Sequence, residues 1–463
     1  MPTMADHDAY IATAPEPFRP SLKLLRERLA RIRPTRPCPK PPPWIAYPSM
    51  RWLLLLLLCC ACASGLPRVP TPSPDEGGRR QQDLDWLVSA LERRHPHLHS
   101  VTPSPRFEAE VAELRARLPS ATPQATFVGL LRVLALVGDS HTRLQDYAPV
   151  EERVSPVVYG AWPDGWWVIG VQPERADLFA CRLLSIDGRP VEECAKVLAP
   201  MVAHENEIVL RRGVARLLAL PQVLAEVGLA NDPARVTLTL RDSRGVEREQ
   251  VVESIAGVDL KGWTAFAPSD WRNPLYLTRR YENWWWTDLA EARTLYFQFN
   301  RCAQTPEKPF AVCAAELLER LDRGDLLRLV IDLRHNGGGD SGVLQPLLDG
   351  LSKRSRWRGA ERLVVLIGNG TYSSAVLNAM ALRRDLGALL VGEPCGQKPN
   401  SFGEIRTFHL PFSGLEVGCS TRRFRLVDGD PPTFDPDVLV PTTFDDVYRG
   451  RDPVLEWVLA RPW

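Results

Sequence analysis

Between residues 294 and 400 the chain alternates short, mostly apolar runs with stretches of helical periodicity, several of them joined by turns that hold glycine. The apolar runs lie at 294–299, 326–333, 363–367 and 388–391, and the helical patterns at 309–321, 342–351 and 374–384. An apolar run with no polar alternation reads as a strand covered on both faces. Strand–helix alternation at this spacing predicts βαβ units, and so an α/β fold with a mainly parallel sheet under helices. Strand-like text at 404–425 follows as a hairpin.

The rest of the 463 residues supplies further units around that sheet. Residues 1–49 hold eleven prolines and no sustained period, which reads as a disordered extension or an early start. Met50 opens MRWLLLLLLCCACASG, one basic residue followed by an apolar run too short to span a bilayer. That pattern predicts a secretory signal over 50–64 and an exported, periplasmic or cell-envelope protein. Ala61-Cys62-Ala63 suits signal cleavage, while Cys59, Cys60 or Cys62 offers a lipidated cysteine and membrane attachment. A Pro/Gly linker at 65–82 leads to a helical unit at 83–150. A β-rich module with an inserted helical stretch at 193–226 occupies 151–255, and the alternating region fills 256–463. With net charge +1 and no basic or acidic run, nothing points to nucleic acid. The six cysteines beyond the signal, Cys181, Cys194, Cys302, Cys313, Cys395 and Cys419, show no metal-like spacing; they are disulfide partners or buried thiols. His95, His97 and His99 alternate without a carboxylate or cysteine beside them, which favours a helix-exit loop over a metal site. No metal or cofactor is expected, and oligomeric state is open.

Two stretches carry chemistry. In VIDLRHNGGGDSG (330–342) a buried strand opens into a triple glycine before a helix, where free N–H groups can hold a negative oxygen. No Gly-Lys-Ser/Thr follows, which excludes a P-loop. In RLVVLIGNGTYSSAVLNAMALRRDLGALLVGEPCGQKPN (362–400) Ser373 sits at a sharp strand-to-helix turn, where a nucleophile would be exposed and the next N–H points from a positive helix end. Ser374, one residue on, suits an N-cap. Gly368-x-Gly370-x-x-Ser373 imitates a dinucleotide fingerprint, but late in the sheet and in an exported chain. The run Trp284–Trp286 suits a packed seam or a substrate platform.

IDLRHNGGG, GTYSSA and GALLVGEPCGQK together resemble the tail-specific, or C-terminal-processing, serine peptidases of family S41, related to the tricorn core. The resemblance implies a crotonase-like ββα catalytic core, an N-terminal helical unit and an inserted PDZ-like β-rich module, the last carried by LLSIDGRPV (183–191). It implies an exported peptidase acting on polypeptides, with Ser373 as nucleophile and Gly337, Gly338 and the Ser374 N–H as oxyanion donors. Lys398, twenty-five residues after Ser373, matches the family's lysine base; such a lysine must be neutral, which arginine cannot be in proteins. Among seven lysines and fifty arginines, its placement is telling. GDSHT (138–142) resembles a D-x-H-T segment in which, on the tricorn branch, a Ser-His pair supplies the base. His141 is therefore the other candidate base, with Asp139 or Ser140 to orient it, and Glu404 lines the cleft. The chain departs from the family pattern after Ser373, where the usual glutamate is absent, and at Pro394-Cys395-Gly396-Gln397. An esterase or amidase on the same residues, or a non-hydrolysing peptide or lipid binder, is the alternative function.

Overall fold

Apolar runs without polar breaks need cover on both faces, and the order of elements supplies it. The computed structural model describes residues 65–145, 147, 153–256, 273–305 and 307–462. The expectations for 1–64 lie outside the described residues. Helices α1 (Glu76–Arg94), α2 (Ser104–Arg117) and α3 (Pro123–Ala135) come first. Asp75 caps α1 by accepting the Gly78 N–H, and Thr122 caps α3 by accepting that of Ala125, each satisfying a donor the first turn leaves free. Strands β1 (Arg143–Leu144) and β2 (Arg153–Val154) lead into β3 (Val157–Trp162), β4 (Gly165–Val171), β5 (Arg182–Ile186) and β6 (Arg189–Pro190). Helices α4 (Val191–Leu198), α5 (Glu207–Leu218) and α6 (Pro221–Glu226) intervene before β7 (Arg235–Arg241), β8 (Glu247–Glu253) and β9 (Ile255–Ala256). This region makes an antiparallel sheet in the order β3-β4-β5-β7-β8, with β6 on β5 and β9 paired to β2.

The alternating region contains α7 (Leu275–Thr278), β10 (Trp284–Leu289), β11 (Thr294–Phe299), α8 (Phe310–Asp322), β12 (Arg328–Asp332), α9 (Gln345–Ser352), β13 (Leu363–Ile367), α10 (Ser374–Leu386) and β14 (Leu389–Gly392). The hairpin β15 (Phe402–His409) and β16 (Glu416–Arg423), then β17 (Val438–Leu439), α11 (Phe444–Tyr448) and α12 (Pro453–Ala460), complete the chain. The sheet order is β10-β11-β12-β13-β14-β17, parallel except for the β10–β11 edge.

Successive side chains of these strands alternate between two cores. Leu329, Ile331, Leu363, Val365 and Ile367 pack with Phe310, Leu317, Leu347 and Leu382 of α8, α9 and α10. Val330, Val364, Leu366 and Val391 pack with Val454, Leu455 and Val458 of α12. Each fully buried aliphatic side chain contributes about 1.5–3 kcal/mol, which makes the register hard to slip. Trp284 and Trp285 divide between the same two cores, so those two tryptophans are packing residues. The expected helix at 342–351 begins as a 3₁₀ turn, Ser341–Leu344, before α9. The six cysteines expected beyond the signal are all free and buried.

The hairpin β15–β16 does not extend the parallel sheet. It pairs through β16 with β1, Arg143 opposite Gly418 and Leu144 opposite Val417. Phe408, Val417 and Cys419 of the hairpin join one core with α1–α3 and the antiparallel sheet. That pairing carries the segment 138–142 to the C-terminal end of β13, where Ser140 and His141 meet Tyr372.

Candidate active site

The turn at Ser373 is strained by its neighbours. Ser373 has φ 54° and ψ −127° at the N-cap of α10, a backbone state that costs a non-glycine residue roughly 1–3 kcal/mol and persists only where the surroundings impose it. The surroundings are specific. The Thr371 hydroxyl donates to Leu333 O at 2.9 Å and accepts the Gly368 N–H at 3.0 Å. The Tyr372 N–H donates to Asn336 O at 3.0 Å, and the Ser373 N–H donates to Gln397 Oε1 at 2.5 Å. Strand β13 is thereby tied to the glycine loop that leaves β12 and to the loop after β14.

The glycine loop is clamped in turn. Asp332, at the end of β12, accepts from the Tyr296 hydroxyl at 2.6 Å and from the Arg334 guanidinium at 2.6 Å. Arg334 reaches across to Asp452 at 2.7 and 2.8 Å. Asn336 donates to Phe299 O and accepts the Gly338 N–H, both at 2.9 Å. Gly338 has φ +101°, and a Cβ there would stand 2.6 Å from Ser373 Cβ and 3.0 Å from Ser374 N. Only glycine allows the loop to back against Ser373 this closely. Gly338→Ala is expected to lower any rate that depends on the Ser373 hydroxyl about a hundredfold by displacing it, the loss typical of a misplacement near 1 Å. Circular dichroism and a melting curve, run beside the assay, check that the fold survives.

Of the oxyanion candidates, Gly338 has its N–H committed to Asn336. The amides of Gly337 and Ser374 take no backbone or side-chain partner among the described residues. Both face the cleft, and Ser374 opens a helix whose N-terminal end favours negative charge. The Ser374 hydroxyl does not cap α10 as its position suggested. It donates to Gly339 O at 2.5 Å, because Ser373 occupies the N-cap in a conformation that turns the first turn toward the glycine loop.

His141, Gly337, Ser373, Ser374, Lys398 and Glu404 all line one cleft of about 590 Å³. The Ser373 hydroxyl hydrogen-bonds none of the described residues. Lys398 has its ammonium on the Asp430 carboxylate at 2.7 Å, toward the solvent side, rather than free in an apolar pocket. Glu404 is on the rim, exposed and paired with Arg422 at 2.7 Å.

His141 is buried. Its Nε2 has no hydrogen-bond partner, and its Nδ1 lies 3.1 Å from the Tyr372 hydroxyl, the two rings stacked at 4.7 Å. Burial holds the imidazole at about 4, with Asp139 opposing the shift, so it is neutral near pH 7 and able to accept a proton. Asp139 organises the turn rather than facing the ring. Its oxygens accept the His141 N–H at 3.0 Å and the Thr142 hydroxyl at 2.6 Å, and His95 Nε2 stands 3.4 Å away. Burial raises this carboxyl, but the nearby His95 and His141 imidazoles and the Thr142 hydroxyl outweigh it and hold it at about 2. The Ser140 hydroxyl bonds that of Tyr372, and its N–H donates to Glu205 Oε2 at 3.1 Å.

Four residues here carried no functional assignment from the sequence. Tyr372 and Gln397 adjoin Ser373 and Lys398, so the motif itself pointed at them. His95 and Glu205 arrive from a helix exit and from the inserted helical stretch, and no local pattern marks them as partners of Asp139 and Ser140.

No protein-family model and no curated protein matches the chain. Among solved structures, mature CPAF complexed with lactacystin aligns with a TM-score of 0.61 at 14% identity, over 83% of this chain and 98% of that one. Mature CPAF alone gives 0.58 at 13% identity, over 83% and 96%. The photosystem II D1 C-terminal processing protease gives 0.39 at 16% identity, over 81% and 98%. At these identities the likeness to CPAF is one of fold.

Proposed function

We infer that this chain, whose fold is that of S41-family peptidases, is itself a serine peptidase of that family, hydrolysing peptide bonds in polypeptides. The observation that carries the reading is the strained Ser373 at the N-terminus of α10, backed by a glycine that nothing larger can replace. In this reading Ser373 Oγ attacks the scissile carbonyl carbon while His141 Nε2 takes its proton. The Gly337 and Ser374 amides receive the oxygen as it becomes negative. The proton then passes from His141 to the leaving amine, and water releases the acyl group by the reverse sequence.

His141 is preferred to Lys398 as base because its ring is neutral and its Nε2 has no hydrogen-bond partner, whereas the lysine is engaged by Asp430. In the same reading the parallel sheet is the crotonase-like core, the β3-β4-β5-β7-β8 sheet a PDZ-like module, and 50–64 a signal for export or lipidation. Among the described residues no helix is long and apolar enough to cross a membrane.

The test is labelling with a fluorophosphonate beside hydrolysis of unfolded casein. The wild-type chain should label and cleave; Ser373→Ala should lose the label entirely while keeping its melting temperature within a few degrees. Ester cleavage without casein cleavage favours the esterase alternative, and an unlabelled, inactive wild type removes hydrolysis altogether.

A further inference from the structure

Beside the cleft lies a second chamber, of about 370 Å³, and the two share Arg143, Gly337 and Tyr372 as walls. The chamber's apolar walls come from elements far apart in the chain: Leu131 and Leu134 of α3, Leu144 of β1, Met201 of the turn after α4, and Val209 and Leu217 of α5. Three arginines also face it, Arg143 from β1, and Arg212 and Arg216 from successive turns of α5. Among the described residues no carboxylate lines it.

The three are not equivalent. Arg216 lies over the Tyr147 ring at 3.6 Å. Arg212 donates one N–H to Asn369 O at 3.0 Å, which leaves the rest of its fork for a guest. Arg143 is exposed, and its charge bears on both Arg212 and His141, which sets it between the chamber and the Ser373 cleft. Neither Arg143 nor Arg212 has an ion-pair partner among the described residues. Cations gathered at an apolar recess repel one another, and a guest that covers them without answering their charge leaves them desolvated and uncompensated.

We propose that this chamber receives the side chain of the substrate residue that supplies the scissile carbonyl, and that Arg143 and Arg212 select a carboxylate there, so that the chain cuts after aspartate or glutamate. This specificity rests on the reading of Ser373 given above. Its placement follows from Gly337. The Gly337 amide, without a partner among the described residues, faces the cleft where the carbonyl oxygen is to sit, and the same residue walls the chamber. A carbonyl held there leaves the side chain on the adjoining Cα at the chamber mouth. An acidic side chain accepts forked, charge-assisted bonds from the two guanidinium groups. The leucine and valine walls hold its methylene stem and exclude water, which strengthens the attraction. A leucine guest leaves both cations covered and unanswered, and a lysine adds a further like charge.

The experiment uses the full chain and a set of peptides, acetylated and amidated at their ends, that differ at one central residue: Glu, Gln, Leu or Lys. Cleavage is placed by mass spectrometry and kcat/KM is measured for each. The wild type should cut on the carboxyl side of Glu, favour Glu over Gln by about thirtyfold or more, and leave the Lys peptide uncut. Arg143→Gln and Arg212→Gln should each collapse the Glu-to-Gln ratio, and Arg143→Glu should turn the preference toward Lys. A ratio taken within one variant cancels any general loss of activity or of folded chain. A wild type that prefers Leu, a Glu preference that survives in both arginine variants, or an acidic residue found only on the amine side of the cut overturns the assignment while leaving the peptidase reading intact. Calorimetric binding of the same peptides to the Ser373→Ala chain reads the chamber without catalysis. The Glu peptide should bind tightest and weaken as salt rises. If the wild type cuts nothing and takes no fluorophosphonate, the peptidase reading falls, and equal binding of the Glu and Gln peptides overturns the chamber's selectivity in its own right.

Discussion

His141→Ala is expected to lower kcat/KM and the rate of fluorophosphonate labelling by about 10²–10⁴-fold, the range a positioned general base supplies. Lys398→Ala should change either by less than about fivefold, since a solvent-facing ion pair is worth about 0–1 kcal/mol. The two variants separate the bases because their environments differ. His141 is enclosed and neutral, its Nε2 buried without a hydrogen-bond partner. Lys398 is held by a carboxylate at the mouth of the same cleft. The reverse outcome, labelling that persists in His141→Ala and vanishes in Lys398→Ala, would return the base to the lysine.

The second large effect is on stability. Arg334 is buried between Asp332 and Asp452 and caps the parallel sheet where the glycine loop begins. Arg334→Leu leaves both carboxylates buried without their cation, a change expected to cost about 3–5 kcal/mol. The cost depends on pH in a defined direction. In the native chain burial raises the Asp332 carboxyl, but the Arg334 charge and hydrogen bonds outweigh it and hold it below its ordinary value. Its contribution is therefore present above the unfolded carboxylate value and lost as pH falls through the folded one. Without the Arg334 side chain only the Tyr296 hydroxyl and the N–H of residue 334 still oppose burial, so the carboxyl moves up and the variant gains relative stability on acidification. Urea midpoints measured at pH 7 and pH 4.5 should show the gap between variant and wild type shrinking at the lower pH. A gap that stays constant would mean that Arg334 contributes packing over the Tyr276 ring, 4.1 Å from its guanidinium, more than charge.

Asp332, Arg334 and Asn336 also show how a sequence motif becomes structure. Read as letters, IDLRHNGGG marks a strand, a turn and a loop of free amides. In three dimensions the aspartate and arginine lock to each other and to Asp452, and Asn336 takes the Gly338 amide. Of the three amides expected as oxyanion donors, that of Gly338 is taken, and those of Gly337 and Ser374 have no partner among the described residues. The sequence could not show this, because which amide a side chain claims depends on its rotamer and not on its spacing.

The sequence alone determined the parallel sheet, the helix that follows Ser373 and the nearness of that serine to the glycine loop. Those follow from local rules: unbroken apolar runs must be buried on both faces, and glycine permits conformations and approaches that other residues do not. The tertiary structure decided which groups surround Ser373. His141 reaches the cleft because β1 pairs with β16, more than 270 residues on, and Glu205 reaches Ser140 from a helical insertion with no motif of its own. Long-range pairing is set by the sum of many packed contacts, and no spacing within a short segment encodes it.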